Sequence, residues 1–172
     1  MRKKNISKNN YILCAVIFTV TIVVCLMIFF IMENNKEYNS KIPILRGKVS
    51  EIEPKDLDNY LMENPDVLLY IGVADDNNSR KVEEKFKKVI EENNLNIIYL
   101  NLTNLSEKEI KEYLNDFSSK YSSSKAINNY PAFLVIFDTQ VVDFVQKENR
   151  DLDISDISHI LDMYEIKGEK ND

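Results

Sequence analysis

The sequence predicts an α/β domain that follows a single membrane-spanning helix. Short β-rich apolar runs alternate with amphipathic helical stretches through most of the chain, an order typical of α/β folds. The clearest example is the apolar run at 67–73, which is typical of a buried strand. A polar turn at 75–80 leads from this run into a helix with Val82 and Phe86 on one face. We expect a central mixed sheet of four to five strands flanked by helices.

The chain divides into five predicted segments. They are a basic N-terminus (1–10), a transmembrane helix (11–32), a tether (33–47), the α/β domain (48–166) and a short tail (167–172). The tether is assigned from its polar composition and from Pro43, which disfavours helix. The sequence contains no internal repeat, so we expect one domain.

An uncharged run of 22 residues begins at Tyr11 and ends at Met32. At ~1.5 Å rise per residue a helix of this length extends roughly 33 Å, enough to cross a hydrocarbon core of about 30 Å. The alternative is a cleavable signal peptide, whose apolar part is usually shorter and ends at a small-x-small site that this run lacks. We therefore predict an uncleaved signal anchor in the plasma membrane. Basic residues precede the run and few follow it closely, which places the N-terminus in the cytoplasm and the domain outside it.

Periodicity and turn residues predict the elements of the domain. Five strands are expected, at 47–52, 67–73, 96–102, 130–137 and 141–145. Four helices are expected, at 55–63, 79–92, 106–117 and 157–164. Ser106 with Glu109 fits a capping box, and Asp153 or Ser155 caps the last helix. The serine-rich stretch 118–124 is expected to be a polar loop.

Charge and cysteine placement exclude several functions. Residues 33–172 hold 18 of the 22 basic residues and all 28 acidic residues, a net charge of −10. An acidic domain without a basic patch argues against nucleic acid as a partner. Both cysteines, Cys14 and Cys25, lie in the uncharged run, so the domain can form neither a disulfide nor a reactive thiolate.

Two stretches resemble the thioredoxin superfamily. LLYIGVADDNNSR at 68–80 is similar to the strand and redox loop of that family, and YPAFLVIF at 130–137 is similar to the segment that holds its cis-proline. With the order β-α-β-α-β-α-β-β-α, the resemblance covers roughly 48–166 and implies a thioredoxin-like fold. The chain also resembles small membrane-anchored bacterial members that accompany bacteriocin-type peptide export.

Matched residue by residue, the Cys-x-x-Cys motif of the family falls on Asp76, Asn77, Asn78 and Ser79. Thiol–disulfide exchange requires a thiolate that attacks sulfur, and neither Asp76 nor Ser79 can provide one. The polar turn can still cap the helix that follows it. The resemblance therefore implies a loop that keeps its structural use without catalytic residues, and we expect no enzymatic activity.

Pro131 matches the cis-proline of the family. If the Tyr130–Pro131 bond is cis, the resemblance implies an exposed backbone edge where an extended peptide can pair. A trans proline that opens a strand is the alternative. Tyr130 and Pro131 are therefore the candidate peptide-binding edge.

Other candidate sites have less support. Residues 75–78 are rich in oxygen ligands but lack the spacing of a calcium loop. His159 is the only histidine and has no recognisable nucleophile beside it. The sequence also lacks a glycine-rich phosphate loop. We predict no metal site and no cofactor.

Two functions stay open. The first is a membrane-anchored, redox-inactive domain outside the cytoplasm that binds a protein or peptide through residues 75–80 beside Tyr130 and Pro131. The second is an accessory subunit of an envelope thiol-redox or peptide (bacteriocin) export system, in which another protein supplies the cysteines.

Overall fold

The computed structural model describes residues 8–123 and 125–168. These residues belong to two compact units, which divide between Ser40 and Lys41. Most of the predicted basic N-terminus and of the predicted tail lies outside the described residues.

The first unit is one long helix, α1 (Lys8–Ser40). Its stretch Tyr11–Glu33 is long and apolar enough to cross a membrane, and its side chains are exposed. The hydroxyl of Thr19 donates to the carbonyl of Ala15, so this polar group is satisfied within the helix. The helix continues past Met32, so the first eight residues of the predicted tether are helical.

The second unit contains five strands and four helices among its described residues. The strands are β1 (Ser50–Ile52), β2 (Val67–Gly72), β3 (Ile97–Asn101), β4 (Ala132–Phe137) and β5 (Gln140–Gln146). The helices are α2 (Leu57–Glu63), α3 (Asn77–Asn93), α4 (Glu107–Tyr121) and α5 (Ile154–Met163). A 3₁₀ turn, Pro54–Asp56, leads into α2. The alternation predicted from periodicity is therefore present.

The five strands form one mixed sheet in the order β1-β3-β2-β4-β5. β2 pairs in parallel with β3 and antiparallel with β4, which places Tyr70 opposite both Tyr99 and Phe133. β1 and β5 are the two edges. Because β2 is the central strand, the turn from its carboxyl end into α3 lies midway between the two edge strands.

Helices cover both faces of the sheet, and each face has its own apolar core. On one face, α2 and α4 pack against the sheet through residues such as Leu61 and Leu114. On the other face, α3 and α5 pack through Phe86 and Ile157, both fully buried. Burial on both faces explains why the central strands have continuous apolar sequences.

The prediction of a polar loop at 118–124 is wrong for residues 118–121, because α4 continues to Tyr121. Ser118 and Tyr121 are buried despite the polar composition of the stretch. The hydroxyl of Tyr121 donates to Asp58 of α2 over 2.6 Å, and Lys120 pairs with the same carboxylate. These contacts with a helix more than 60 residues away stabilise the last turn of α4.

The capping predictions are confirmed in detail. Ser106 and Glu109 form a capping box at the start of α4. Of the two candidates for the last helix, Asp153 is the cap, and it forms a second capping box with Asp156. Each cap satisfies N–H groups that have no partner within the helix.

Candidate functional site

The turn between β2 and α3 is organised by Asp76. This residue has an extended backbone, and its Oδ2 atom accepts the N–H of Ser79 over 2.7 Å. Asp76 is therefore the N-cap of α3, and the helix begins at Asn77, two residues earlier than predicted.

The four residues that match the redox motif have different surroundings. Asn77 is exposed and Asp76 is half-buried, whereas Asn78 and Ser79 are buried. The Ser79 hydroxyl accepts the N–H of Val73 over 3.4 Å, at the end of the strand that precedes the turn. Asn78 and Ser79 therefore take part in the packing of the domain.

Asn78 connects the start of α3 to the segment before α5. Its Nδ2 atom donates to the carbonyl of Leu152, and its Oδ1 atom accepts the N–H of Leu152, both over 3.1 Å. A single side chain thus satisfies both backbone groups of a residue 74 positions away. Buried backbone groups need such partners, since water cannot reach them.

We expect Asn78→Ala to lower the free energy of unfolding by about 2–3 kcal/mol, because it leaves the buried N–H and C=O of Leu152 without partners. Asn77→Ala is the matched control, since Asn77 is exposed on the same turn, and its effect should be within about 0.5 kcal/mol. Urea unfolding of the full chain in detergent, followed by circular dichroism, measures both. Equal effects of the two substitutions would contradict the role assigned to Asn78.

The loop before β4 carries Tyr130 and Pro131, and the peptide bond between them is cis. The carbonyl of Pro131 accepts the N–H of Lys147 over 2.9 Å. Further back in the loop, the Ser118 hydroxyl of α4 accepts the N–H of Ile127, also over 2.9 Å. β4 and the antiparallel strand β5 form a hairpin. The loop is thus attached both to the end of this hairpin and to α4.

A surface groove of about 230 Å³ connects this loop with the turn before α3. Its lining residues come from the turn, from α4, from the proline loop and from the end of the hairpin: Asp76, Glu107, Ile110, Lys111, Leu114, Asn128, Asn129, Tyr130 and Lys147. Of the predicted site residues, the structure brings Asp76 and Tyr130 together in this groove. It places Asn78 and Ser79 in the interior, and Pro131 is also buried.

The lining of the groove combines two apolar side chains with charged ones, Asp76, Glu107, Lys111 and Lys147. Ile110 and Leu114 of α4 are buried side chains. The pKa of Tyr130 is raised, because partial burial and then the negative charges of Asp76, Glu107 and Asp75 disfavour the phenolate. Apolar side chains beside a few polar groups are typical of ligand-binding clefts.

A second surface cavity, of about 630 Å³, is larger but contains none of the predicted site residues. It is lined by the end of β5 and the segment before α5, including Phe144, Gln146 and Arg150. The groove next to Asp76 and Tyr130 is the better candidate because two positions that the resemblance singled out meet there.

One buried titratable group was not found from the sequence. Glu83 of α3 is fully buried, and its carboxylate accepts the N–H of Ile44 over 2.9 Å and the hydroxyl of Tyr99 over 3.1 Å. Burial raises the pKa of Glu83 to about 7, while these hydrogen bonds partly oppose the rise. Its neighbour Arg80 donates to the carbonyl of Ile42. The sequence pattern gave no signal for Glu83, since a glutamate is common on a helix.

Among residues 8–123 and 125–168, no group of three or more histidine, cysteine, aspartate or glutamate side chains could hold a metal ion. Cys14 and Cys25 are free thiols of α1. His159 of α5 is exposed.

The sheet order and the helices on both faces of the sheet define a thioredoxin-like fold. The chain is similar to the crystal structure of thioredoxin f2 from Chlamydomonas reinhardtii, with a TM-score of 0.50, 13% identity, 67% of this chain covered and 95% of that chain. At this identity the likeness establishes the fold alone. The predicted fold class is confirmed.

Two further structures give lower scores. They are thioredoxin f2 in complex with ferredoxin:thioredoxin reductase (TM-score 0.48, 17% identity, 68% of this chain and 94% of that chain) and a second protein with a thioredoxin fold (TM-score 0.45, 15% identity, 63% of this chain and 91% of that chain). No protein-family model and no curated protein sequence matches the chain.

Proposed function

We propose that this chain is a membrane-anchored, redox-inactive thioredoxin-like domain that binds an extended peptide or protein segment. The observation that carries the proposal is the groove shared by Asp76 and Tyr130, beside Pro131. The binding surface comprises the exposed part of the turn at 75–80, Tyr130 and the α4 face with Lys111.

Redox inactivity follows from the chemistry of the side chains at the turn. Thiol–disulfide exchange passes through a mixed disulfide, which requires a sulfur atom at the attacking position. Asp76 occupies that position and caps α3. Ser79 is buried, and its hydroxyl accepts the N–H of Val73. The two thiols of the chain, Cys14 and Cys25, belong to α1 and not to the domain.

Anchoring is supported by α1, whose Tyr11–Glu33 stretch passes the length and hydropathy requirements for a membrane span. The basic residues ahead of it favour a cytoplasmic N-terminus and a domain outside the cytoplasm. A domain in that position meets extended chains during export or assembly, which fits a peptide-binding surface.

The proposal is tested with the full chain in lipid nanodiscs and a displayed library of random 12-residue peptides. The peptide that binds most tightly is synthesised, and its dissociation constant is measured by fluorescence anisotropy. We expect Tyr130→Ala and Lys111→Glu each to raise this constant about tenfold, or ~1.4 kcal/mol, because truncation or charge reversal at the centre of a small interface has effects of this size.

Lys108→Glu is the matched control. Lys108 is an exposed residue of α4 that pairs with Glu112, lies outside the lining of the groove, and gives the same charge change as Lys111→Glu. The dissociation constant should stay within twofold. The proposal fails if no peptide is enriched over empty nanodiscs, or if all three variants bind equally well.

A further inference from the structure

Gln146, the last residue of β5, directs all its side-chain polar atoms at the loop before the cis-proline. Its Oε1 atom accepts the N–H of Asn128 over 3.1 Å and the N–H of Asn129 over 3.2 Å. Its Nε2 atom donates to the carbonyl of Ala126 over 3.3 Å. One side chain thus makes three hydrogen bonds to a stretch of four residues that lies 17–20 positions earlier in the chain.

This loop depends on side chains for its conformation. The described residues between Tyr121 and Ala132 belong to no helix or strand. The N–H of Ile127 is accepted by the Ser118 hydroxyl, and the N–H of Tyr130 is accepted by the side chain of Asn129. With the two bonds to Gln146, four consecutive backbone donors are satisfied by side chains, so no sheet ladder fixes this loop.

The residues that Gln146 holds form one wall of the groove. Asn128, Asn129 and Tyr130 line the groove, whereas Gln146 is absent from its lining and lines the separate cavity at the end of β5. Gln146 therefore acts on the groove only through the loop.

We infer that Gln146 is a positioning residue for peptide binding: by accepting the N–H groups of Asn128 and Asn129, it fixes the wall of the groove that ends in Tyr130. The inference rests on the proposed function. Preorganisation of a binding loop lowers the entropy that is lost when a peptide is ordered against it. Loss of these bonds should therefore weaken binding more than it weakens the fold, because water can reach the exposed Asn128 N–H group in the folded domain.

The test compares Gln146→Ala with Gln146→Glu in the full chain in nanodiscs. Glutamate keeps the two acceptor bonds and loses only the donor to the Ala126 carbonyl, whereas alanine loses all three. Gln140→Ala, at the exposed opposite end of β5, is the control. The first measurement needs no peptide: amide hydrogen exchange of the segment 126–130. We expect at least tenfold faster exchange of Asn128 and Asn129 in Gln146→Ala, and rates within threefold of the natural chain in the other two.

The second measurement is the dissociation constant of the peptide selected from the 12-residue library. We expect it to rise five- to tenfold in Gln146→Ala and less than threefold in Gln146→Glu and Gln140→Ala, with thermal midpoints of all three within about 3 °C of the natural chain. Unchanged exchange, or faster exchange with an unchanged dissociation constant, overturns the inference while the proposed function stands. Failure of the natural chain to bind any library peptide overturns both, and the exchange rates then report only how the loop is held.

Discussion

A chain carrying Asp76→Cys together with Ser79→Cys is expected to gain thiol–disulfide exchange. The two positions have the surroundings that such a pair needs, because Asp76 is half-buried at the N-cap of α3 and Ser79 lies fully buried in its first turn. A helix N-terminus stabilises a thiolate and lowers the pKa of a cysteine placed there. Loss of the Asp76 cap should cost about 1 kcal/mol, which a domain of ordinary stability tolerates.

The measurement is reduction of insulin by dithiothreitol, with and without the variant, in a background where Cys14 and Cys25 are replaced by serine. The double variant should accelerate precipitation of the insulin B chain severalfold and form an intramolecular disulfide on oxidation. Asp76→Cys alone is the control, since it can form a mixed disulfide but has no second thiol to resolve it. A double variant that neither forms the disulfide nor exceeds this control would show that the turn is not equivalent to a redox loop.

Phe86→Ala should have the largest effect on stability, lowering the free energy of unfolding by about 3–5 kcal/mol. The ring of Phe86 is fully buried between α3 and the sheet. Its centroid lies 5.7 Å from that of Tyr70 and 5.6 Å from that of Phe133, the latter in an edge-to-face arrangement. Truncation removes these aromatic contacts and leaves a cavity in the centre of one core.

Phe137→Ala is the matched control, because it deletes the same side chain from the end of β4, where 62% of it is exposed. Its effect should stay within about 0.5 kcal/mol. Urea unfolding of both variants in the same detergent, followed by tyrosine fluorescence and circular dichroism, gives the two free energies. Similar losses in the two variants would place Phe86 outside the core and contradict the packing described here.

The fold was predictable because local signals agreed with one another. Continuous apolar runs marked the central strands, and the Ser106 capping box marked the start of α4 where the structure has it. The expectation that the Asp76 turn lies beside Pro131 came from the resemblance, because hydrophobic periodicity does not show which distant residues are neighbours. Positions of this kind are defined by topology, since β2 and β4 are neighbours in the sheet although they lie about 60 residues apart.

The features that escaped prediction all depend on contacts between distant residues. Ser118 and Gln146 look like ordinary polar positions, and their function as acceptors for the proline loop follows only from where the loop lies. The polar turn was expected to cap α3, which Asp76 does, whereas the amide of Asn78 bonds to the segment before α5. Glu83 is buried where it contacts both Tyr99 of β3 and the backbone of Ile44. A polar side chain does not reveal such partners in a single sequence.

The burial of Glu83 affects how a soluble fragment of this protein should be cut. Residue 48 marks the start of the domain by composition, yet Leu45 is fully buried and Ile44 donates to the Glu83 carboxylate. A fragment that begins at residue 48 lacks Ile44, so the buried Glu83 carboxylate loses its backbone donor and keeps only the hydroxyl of Tyr99 among the donors described above. A fragment that begins at Lys41 keeps the whole compact unit. The residues that follow α1 are thus part of the folded unit, and deleting them as a linker would destabilise it.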